Sequence, residues 1–171
     1  MKDAAVLVPL YRDANGRFHL VLVQRSAGGN HAGQLAFPGG KRDAADASLL
    51  ATALREAHEE IGLPPAHVQL LAELPVAETR TSGFRIAPFL ARIVPPPGGW
   101  RPHPREIAAV LDVPLADLLA PGAHDDTPWQ LPAWPAPRCE PCYHVGPHRL
   151  WGVTYRILHP LLPRLRAEEW V

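Results

Sequence analysis

No stretch of this chain is long and apolar enough to span a bilayer, which argues against a helical membrane anchor. A surplus of either charge is also missing. Lys plus Arg number 17 and Asp plus Glu number 17, so nothing in the balance points to a nucleic-acid or membrane surface. Lysine is nearly absent, occurring only at Lys2 and Lys41, and arginine carries most of the positive charge. Cysteine is scarce. Cys139 and Cys142 form one C-x-x-C with His144 and His148 nearby. Zinc sites use thiolates and imidazoles at such spacing, but the second cysteine pair of a zinc module is lacking. The alternative is a hairpin loop that carries two thiols. No thioredoxin-like context supports a redox pair. No internal repeat occurs. Met1-Lys2-Asp3 runs straight into a strand-like segment without a charged-then-apolar leader, so the expected compartment is the cytoplasm.

What is present suits one domain over 1–171, since 171 residues can bury a substantial core. Ala4 to Leu10 and Phe18 to Gln24 read as strands joined by the turn Asp13-Ala14-Asn15-Gly16, because Asn-Gly between apolar runs signals a hairpin. Val68 to Leu74, Phe84 to Ile93 and Ile107 to Val113 are strand-like too. Pro95-Pro96-Pro97-Gly98-Gly99 marks a loop. Pro114 to Leu119 reads as a short helix with proline in its first turn. Residues 120 to 141 are rich in proline and tryptophan and read as irregular. Tyr143 to Leu150 suits a short hairpin, and Gly152 to Arg166 a terminal helix that Pro160 and Pro163 must end or kink.

One helix carries the chemistry. Leu50, Ala53, Leu54, Ala57 and Ile61 recur at helical spacing; Asp46 or Ser48 caps the start, and Gly62 before Pro64-Pro65 ends it. Residues three and four apart are neighbours on a helix, so Glu56, Glu59 and Glu60 share the opposite face, with Arg55 one turn before Glu59. Crowded carboxylates repel unless a cation neutralises them, and Mg²⁺ and Mn²⁺ prefer oxygen ligands. The alternative is a solvated acidic helix with Arg55 paired to Glu59.

The residues around this helix resemble the Nudix hydrolase box. Gly39-Gly40 leads to Arg55-Glu56, Glu59-Glu60 and Gly62. Five residues separate Gly40 from Asp46, which stands where the family pattern has Glu, and eight separate Asp46 from Arg55, where the general pattern has seven. Val23-Gln24-Arg25-Ser26 and His31-Ala32-Gly33-Gln34-Leu35-Ala36-Phe37-Pro38-Gly39-Gly40 are similar to the segment preceding the box in the coenzyme A pyrophosphatase subfamily. That subfamily commonly carries the longer box with an Asp-Ala-Ser start, as in Asp46-Ala47-Ser48. Leu74-Pro75, Thr81-Ser82-Gly83-Phe84, Pro88-Phe89, Glu106 to Leu115 and Leu150 to Thr154 resemble its later segments. The segment Arg25 to His31 is one residue short of the subfamily pattern and has Asn30 where an Arg precedes the His.

The resemblance implies an α/β (α+β) fold, the Nudix α/β/α sandwich with a mixed central sheet. It implies a pyrophosphohydrolase acting on a nucleoside diphosphate derivative, first of all coenzyme A or its acyl or oxidised forms. Products would be phosphopantetheine (or its acyl form) and adenosine 3',5'-bisphosphate. A Nudix hydrolase of other specificity (ADP-ribose, a dinucleotide, a nucleoside triphosphate) is the second reading, and a nucleotide-sensing module the third. The implied cofactor is Mg²⁺ or Mn²⁺, the partner a small nucleotide with no nucleic acid or membrane, and the assembly a homodimer, since many family members dimerise. By motif position, Glu56, Glu59, Glu60 and the carbonyl of Gly40 are the metal ligands, with Glu59, Glu60, Glu106 and Arg55 as the catalytic set. Arg55 orients the carboxylates by charge-assisted hydrogen bonds. Asp46 pairs with Arg55 or caps the helix. Glu106 is an outer metal ligand or general base, or else a surface carboxylate paired with Arg105 or Arg101; Glu78 is a further candidate base. Arg25, His31, Gln34, Gly39, Ser82 and Gly83 are the candidate substrate contacts, with Trp129, Trp134 and Trp151 available to stack on a base.

Overall fold

A computed structural model describes residues 1–29 and 31–170; the Asn30 departure noted above lies outside the described residues. In chain order the elements are β1 (Lys2–Arg12), β2 (Phe18–Arg25), β3 (Leu35–Ala36), β4 (Gly39–Lys41), α1 (Leu49–Ile61), β5 (Val68–Glu73), β6 (Ala77–Glu78) and β7 (Phe84–Ile93). They continue with β8 (Ile107–Pro114), α2 (Leu115–Leu119), β9 (His124–Asp125), β10 (Cys142–Val145), β11 (His148–Leu150), α3 (Gly152–Leu158) and α4 (Leu162–Arg166).

β1 and β7 run parallel from Lys2 opposite Phe84 to Leu10 opposite Arg92, and form the middle of a mixed sheet. On its other side β1 pairs first with β4, at Ala4 to Val6, and then with β2, at Leu10 to Arg12. β8 lies antiparallel to β2. The β1–β2 turn closes with Gly16 N–H donating to the Asp13 carbonyl at 2.9 Å, and Gly16 takes the left-handed φ of 78° that an L side chain rarely adopts.

Strands buried on both faces read as near-continuous apolar runs, and β1, β2 and β7 do so because two cores need them. Ala5, Leu7, Val21, Val23, Phe89 and Ala91 face α1 and its Ala53, Ala57 and Ile61. Val8, Leu20, Leu22, Ile86 and Leu90 face the other way, against Leu118, Leu150, Leu158, Leu162 and their neighbours. Each fully buried large aliphatic side chain contributes about 1.5–3 kcal/mol relative to exposure. The result is the expected sandwich, helix against sheet against helices.

The prolines act on the terminal helix as expected, and one segment differs from the sequence expectation. The helix expected over Gly152 to Arg166 is two helices, because Pro160 interrupts the ladder and α4 restarts with Pro163 in its first turn, where no N–H is needed. The segment 120–141 holds β9 and an antiparallel bridge between Trp129 and Arg138, so part of it is paired.

Candidate functional site

Ser48 starts α1: its Oγ accepts the Ala51 N–H at 3.0 Å. Gly62 ends it with φ 72°, its N–H donating to the His58 carbonyl while Leu63 N–H reaches Ala57. The loop after Trp100 is fastened to that end. Arg101 N–H donates to the Ile61 carbonyl at 3.0 Å and His103 N–H to the Glu60 carbonyl at 2.8 Å. This places Glu106, three residues on, beside the helix.

Arg55 is the hub of the helix face. Its Nε and Nη2 grip the Asp46 carboxylate at 2.9 and 3.0 Å, Nη2 also donates to the Lys41 carbonyl, and Nη1 reaches Glu56 at 3.1 Å and Glu59 at 3.2 Å. The Asp46 carboxylate also accepts from the Asp43 N–H and the Thr52 hydroxyl, each at 2.8 Å. Asp46 therefore pairs with Arg55 and Ser48 does the capping. The Arg55 hydrogen bonds hold the Asp46 carboxyl well below the usual carboxylate range, and Asp46 in turn raises Arg55. Thr52 was missed at the sequence level, because nothing local links it to an acid six residues earlier.

Glu60 points inward and is only 3 % exposed. Its Oε2 accepts the Gly39 N–H of β4 at 3.1 Å. Burial pushes its pKa up to about 7; the Gly39 hydrogen bond and the positive charge of Arg25 oppose that shift, and the charges of Glu56 and Glu106 add to it. Burial likewise raises Glu56, against the pull of Arg55. Glu59, by contrast, has 54 % of its side chain exposed. Glu56, Glu59 and Glu60 thus share a helix face, but they do not converge as one tight ligand group: Arg55 stands between Glu56 and Glu59, and Glu60 turns toward Gly39.

The glycines make the close approach possible. A Cβ on Gly39 would fall onto the Ala5 carbonyl oxygen and within 2.7 Å of Val6 Cα. A Cβ on Gly40 would sit 2.5 Å from the Glu56 carboxylate. Gly39→Ala is expected to destabilise the protein by at least about 2 kcal/mol, since backbone must move. Gly40→Ala should leave the melting temperature closer to wild type but displace Glu56. Thermal melts of the two variants check this, and equal losses would contradict it.

Arg25 ends β2 at a register shift against β8. Its N–H donates to the Gln34 carbonyl and its carbonyl accepts the Gly33 N–H, each at 3.0 Å, so the intervening loop leaves and returns at one point. Ser26 N–H donates to the Glu106 carbonyl at 2.9 Å. Arg25, Gln34 and Glu106 are therefore neighbours at the Glu60 end of α1. Among the described residues neither Arg25 nor the exposed Glu106 makes an ion pair, so the pairing of Glu106 with Arg101 or Arg105 is not formed. His31 is exposed in the loop. Ser82 and Gly83 lie exposed in the β6–β7 turn, where Ser82 Oγ donates to Thr79 and the Gly83 carbonyl accepts the Lys2 N–H. That turn borders the start of β1, which β4 flanks from the other side. Glu78 is exposed on β6, its carbonyl held by Arg156 at 2.6 Å. The tryptophans pack on one another, with centroids 4.8 to 5.6 Å apart, and Trp129 is buried.

The NUDIX domain model matches residues 1–134. The chain belongs to the Nudix family. The uncharacterized Nudix hydrolase NudL of Citrobacter koseri is 44 % identical over 124 residues, which cover 72 % of this chain and 62 % of NudL. NudL of Salmonella paratyphi B matches equally well over the same shares. This match thus spans less than two thirds of those relatives. Solved structures share the fold. A MutT/nudix family protein of Enterococcus faecalis aligns with a TM-score of 0.65 at 16 % identity, covering 97 % of this chain and 62 % of that one. In this Nudix chain the matched region holds Arg25, Gly39, Gly40, α1 and Glu106, whereas β10, β11, α3 and α4 lie beyond it.

Proposed function

We propose that this protein hydrolyses the pyrophosphate bond of a nucleoside diphosphate derivative, with coenzyme A and its acyl or oxidised forms as the first choice of substrate. The observation that carries the reading is the buried Glu60, held by the Gly39 N–H and surrounded by the charges of Glu56, Glu106 and Arg25. A carboxylate buried at a glycine turn beside others of its charge has a function that stability alone does not explain.

The donor set fits a hard divalent cation. It is all oxygen, and Glu56 and Glu60, raised chiefly by burial, also feel the charges of neighbouring carboxylates. Glu56, Glu59, Glu60 and the Gly40 carbonyl would hold Mg²⁺ or Mn²⁺, which when bound screens the pyrophosphate charge and acidifies a water. Arg55, bonded to both, would order Glu56 and Glu59. Arg25 supplies a planar cation suited to a phosphate oxygen pair. Glu106, exposed and without an ion pair among the described residues, would take the proton of the attacking water. Gln34, His31, Ser82 and Gly83 would contact the rest of the substrate. The cytoplasm and a homodimer remain part of this proposal.

The coenzyme A choice rests on the run His31 to Gly40 and on Asp46-Ala47-Ser48. The second reading, another nucleoside diphosphate, is favoured by the short segment before His31. A Shewanella oneidensis NrtR NUDIX domain, similar to this chain in fold at TM-score 0.56 and 22 % identity over 70 % of this chain and 76 % of that one, was solved with ADP ribose. A panel of coenzyme A species, ADP-ribose, NADH and dinucleoside polyphosphates with Mg²⁺ or Mn²⁺, products separated by mass, tests the choice. Preferred cleavage of coenzyme A at its pyrophosphate is the expected result. Preference for another diphosphate removes the substrate and keeps the chemistry. Binding without turnover of any of them removes the enzyme.

A further inference from the structure

The C-x-x-C does not gather its two thiols. Cys139 is exposed and Cys142 is buried. Cys142 instead lies directly opposite Asp125 in the β9–β10 pair, so both side chains leave the same face of the small sheet. His144, two residues further along β10, shares that face. The Cys142 sulfur, a carboxylate oxygen of Asp125 and a ring nitrogen of His144 all lie within 4.8 Å of one another. Among the described residues no other three His, Cys, Asp or Glu side chains converge so closely.

The surroundings are those of a held ligand set. Asp125 Oδ1 accepts from the Thr127 N–H at 2.9 Å and the Thr127 hydroxyl at 2.6 Å, which leaves Oδ2 aimed at His144 Nε2, 2.8 Å away. Such outer hydrogen bonds orient metal-binding carboxylates. His144 also lines a cavity of about 320 Å³ with Asp117, Pro147 and His148, which provides an approach from solvent. Arg149 fills the place of a cation: its Nη1 lies 3.5 Å from the Cys142 sulfur and 3.6 Å from Asp125 Oδ2. From the same position its guanidinium also lies over the Trp129 ring at 4.8 Å.

The geometry points to a transition-metal site, of the zinc class, formed by Asp125, Cys142 and His144. One thiolate, one imidazole and one carboxylate suit a borderline-soft ion, not Mg²⁺ or Mn²⁺. The Arg149 guanidinium, beside the sulfur and the carboxylate, would have to give way to the metal. Binding displaces the proton of the thiol, so affinity should rise with pH. The site is independent of the hydrolytic reading, since it shares no residue with the α1 carboxylates.

Cobalt reads out the proposal without any substrate. The purified full chain is titrated with Co²⁺ in excess Mg²⁺, which keeps the α1 carboxylates occupied. Near-ultraviolet absorption of a cobalt–thiolate bond is followed. One saturable band is expected, erased by Zn²⁺, retained in Cys139→Ser and lost in Cys142→Ser. His144→Ala changes an exposed side chain and should fold; it should weaken Co²⁺ binding at least about tenfold. Arg149→Ala should tighten it. No thiolate band in the wild type, or a band that follows Cys139 instead of Cys142, overturns the assignment. Unchanged affinity in His144→Ala does the same.

Discussion

Glu60→Gln is expected to lower turnover at least about 10³-fold, because on the proposed reading it removes a charged metal ligand and with it several kcal/mol of transition-state stabilisation. The same change should make the metal-free protein more stable at neutral pH. The Glu60 pKa rises from an ordinary 4.5 to about 7 on folding, chiefly through burial. The folded state then holds this proton more tightly than the unfolded chain. That preference favours folding below pH about 4.5 and is lost as pH rises through about 7. A shift of this size corresponds to about 3 kcal/mol when both states are ionised. Glutamine keeps the shape and cannot ionise, so the variant should lose less stability than wild type between pH 5 and pH 8 in a chelator. Adding Mg²⁺ should raise the wild-type melting temperature and leave the variant little changed, since a ligand that binds only the folded state stabilises it by mass action. Calorimetry with and without chelator separates the outcomes. A variant that stays fully active, or gains as much from Mg²⁺ as wild type, would remove Glu60 from the site.

Much of this arrangement could be read along the chain where several local signals agree. The helix α1 combines an apolar stripe, a serine cap and a glycine stop, and its bounds follow from those residues. The Asp13 to Gly16 turn carries its own chemistry. The spread of the carboxylates was not legible. Helical spacing puts Glu56, Glu59 and Glu60 on one face, but which of them faces inward depends on β4, which offers the Gly39 N–H, and on where Arg55 finds its partners. Those partners come from a loop folded back by the Asp43–Asp46 turn. The position of Glu106 depends on hydrogen bonds to the end of α1, Arg101 to Ile61 and His103 to Glu60, whose partners lie far apart in the chain. In the proline-rich stretch the spacing of Cys139 and Cys142 drew attention to the wrong neighbour. The third ligand, Asp125, comes from a two-residue strand that has no periodicity to detect.

Arg55→Met should weaken the fold and the site together, and the two losses should be separable. Methionine keeps the aliphatic stem but removes every hydrogen bond to Asp46, Glu56, Glu59 and the Lys41 carbonyl. The Asp46 carboxylate, buried and left with only Thr52 and the Asp43 N–H, is then an uncompensated charge. A melting temperature lower by roughly 5 °C or more is expected at neutral pH. The pH dependence gives the sign. Arg55 holds the Asp46 carboxyl below its ordinary range, so its contribution is present above that range and is lost as pH falls through the lowered value. Wild type should therefore lose stability on acidification more steeply than Arg55→Met. Activity should fall as well, with a higher Mg²⁺ concentration needed for half-maximal rate, because Glu56 and Glu59 lose the guanidinium that orders them. Arg55→Lys should recover only part of either property, since an ammonium cannot grip a carboxylate in two places. Combining Arg55→Met with Asp46→Asn decides the structural half. If the pair is coupled as the distances indicate, the double variant should be more stable than the sum of the single losses. Strict additivity would mean that Arg55 acts on the glutamates alone, and that Asp46 is held by Thr52 and its own turn.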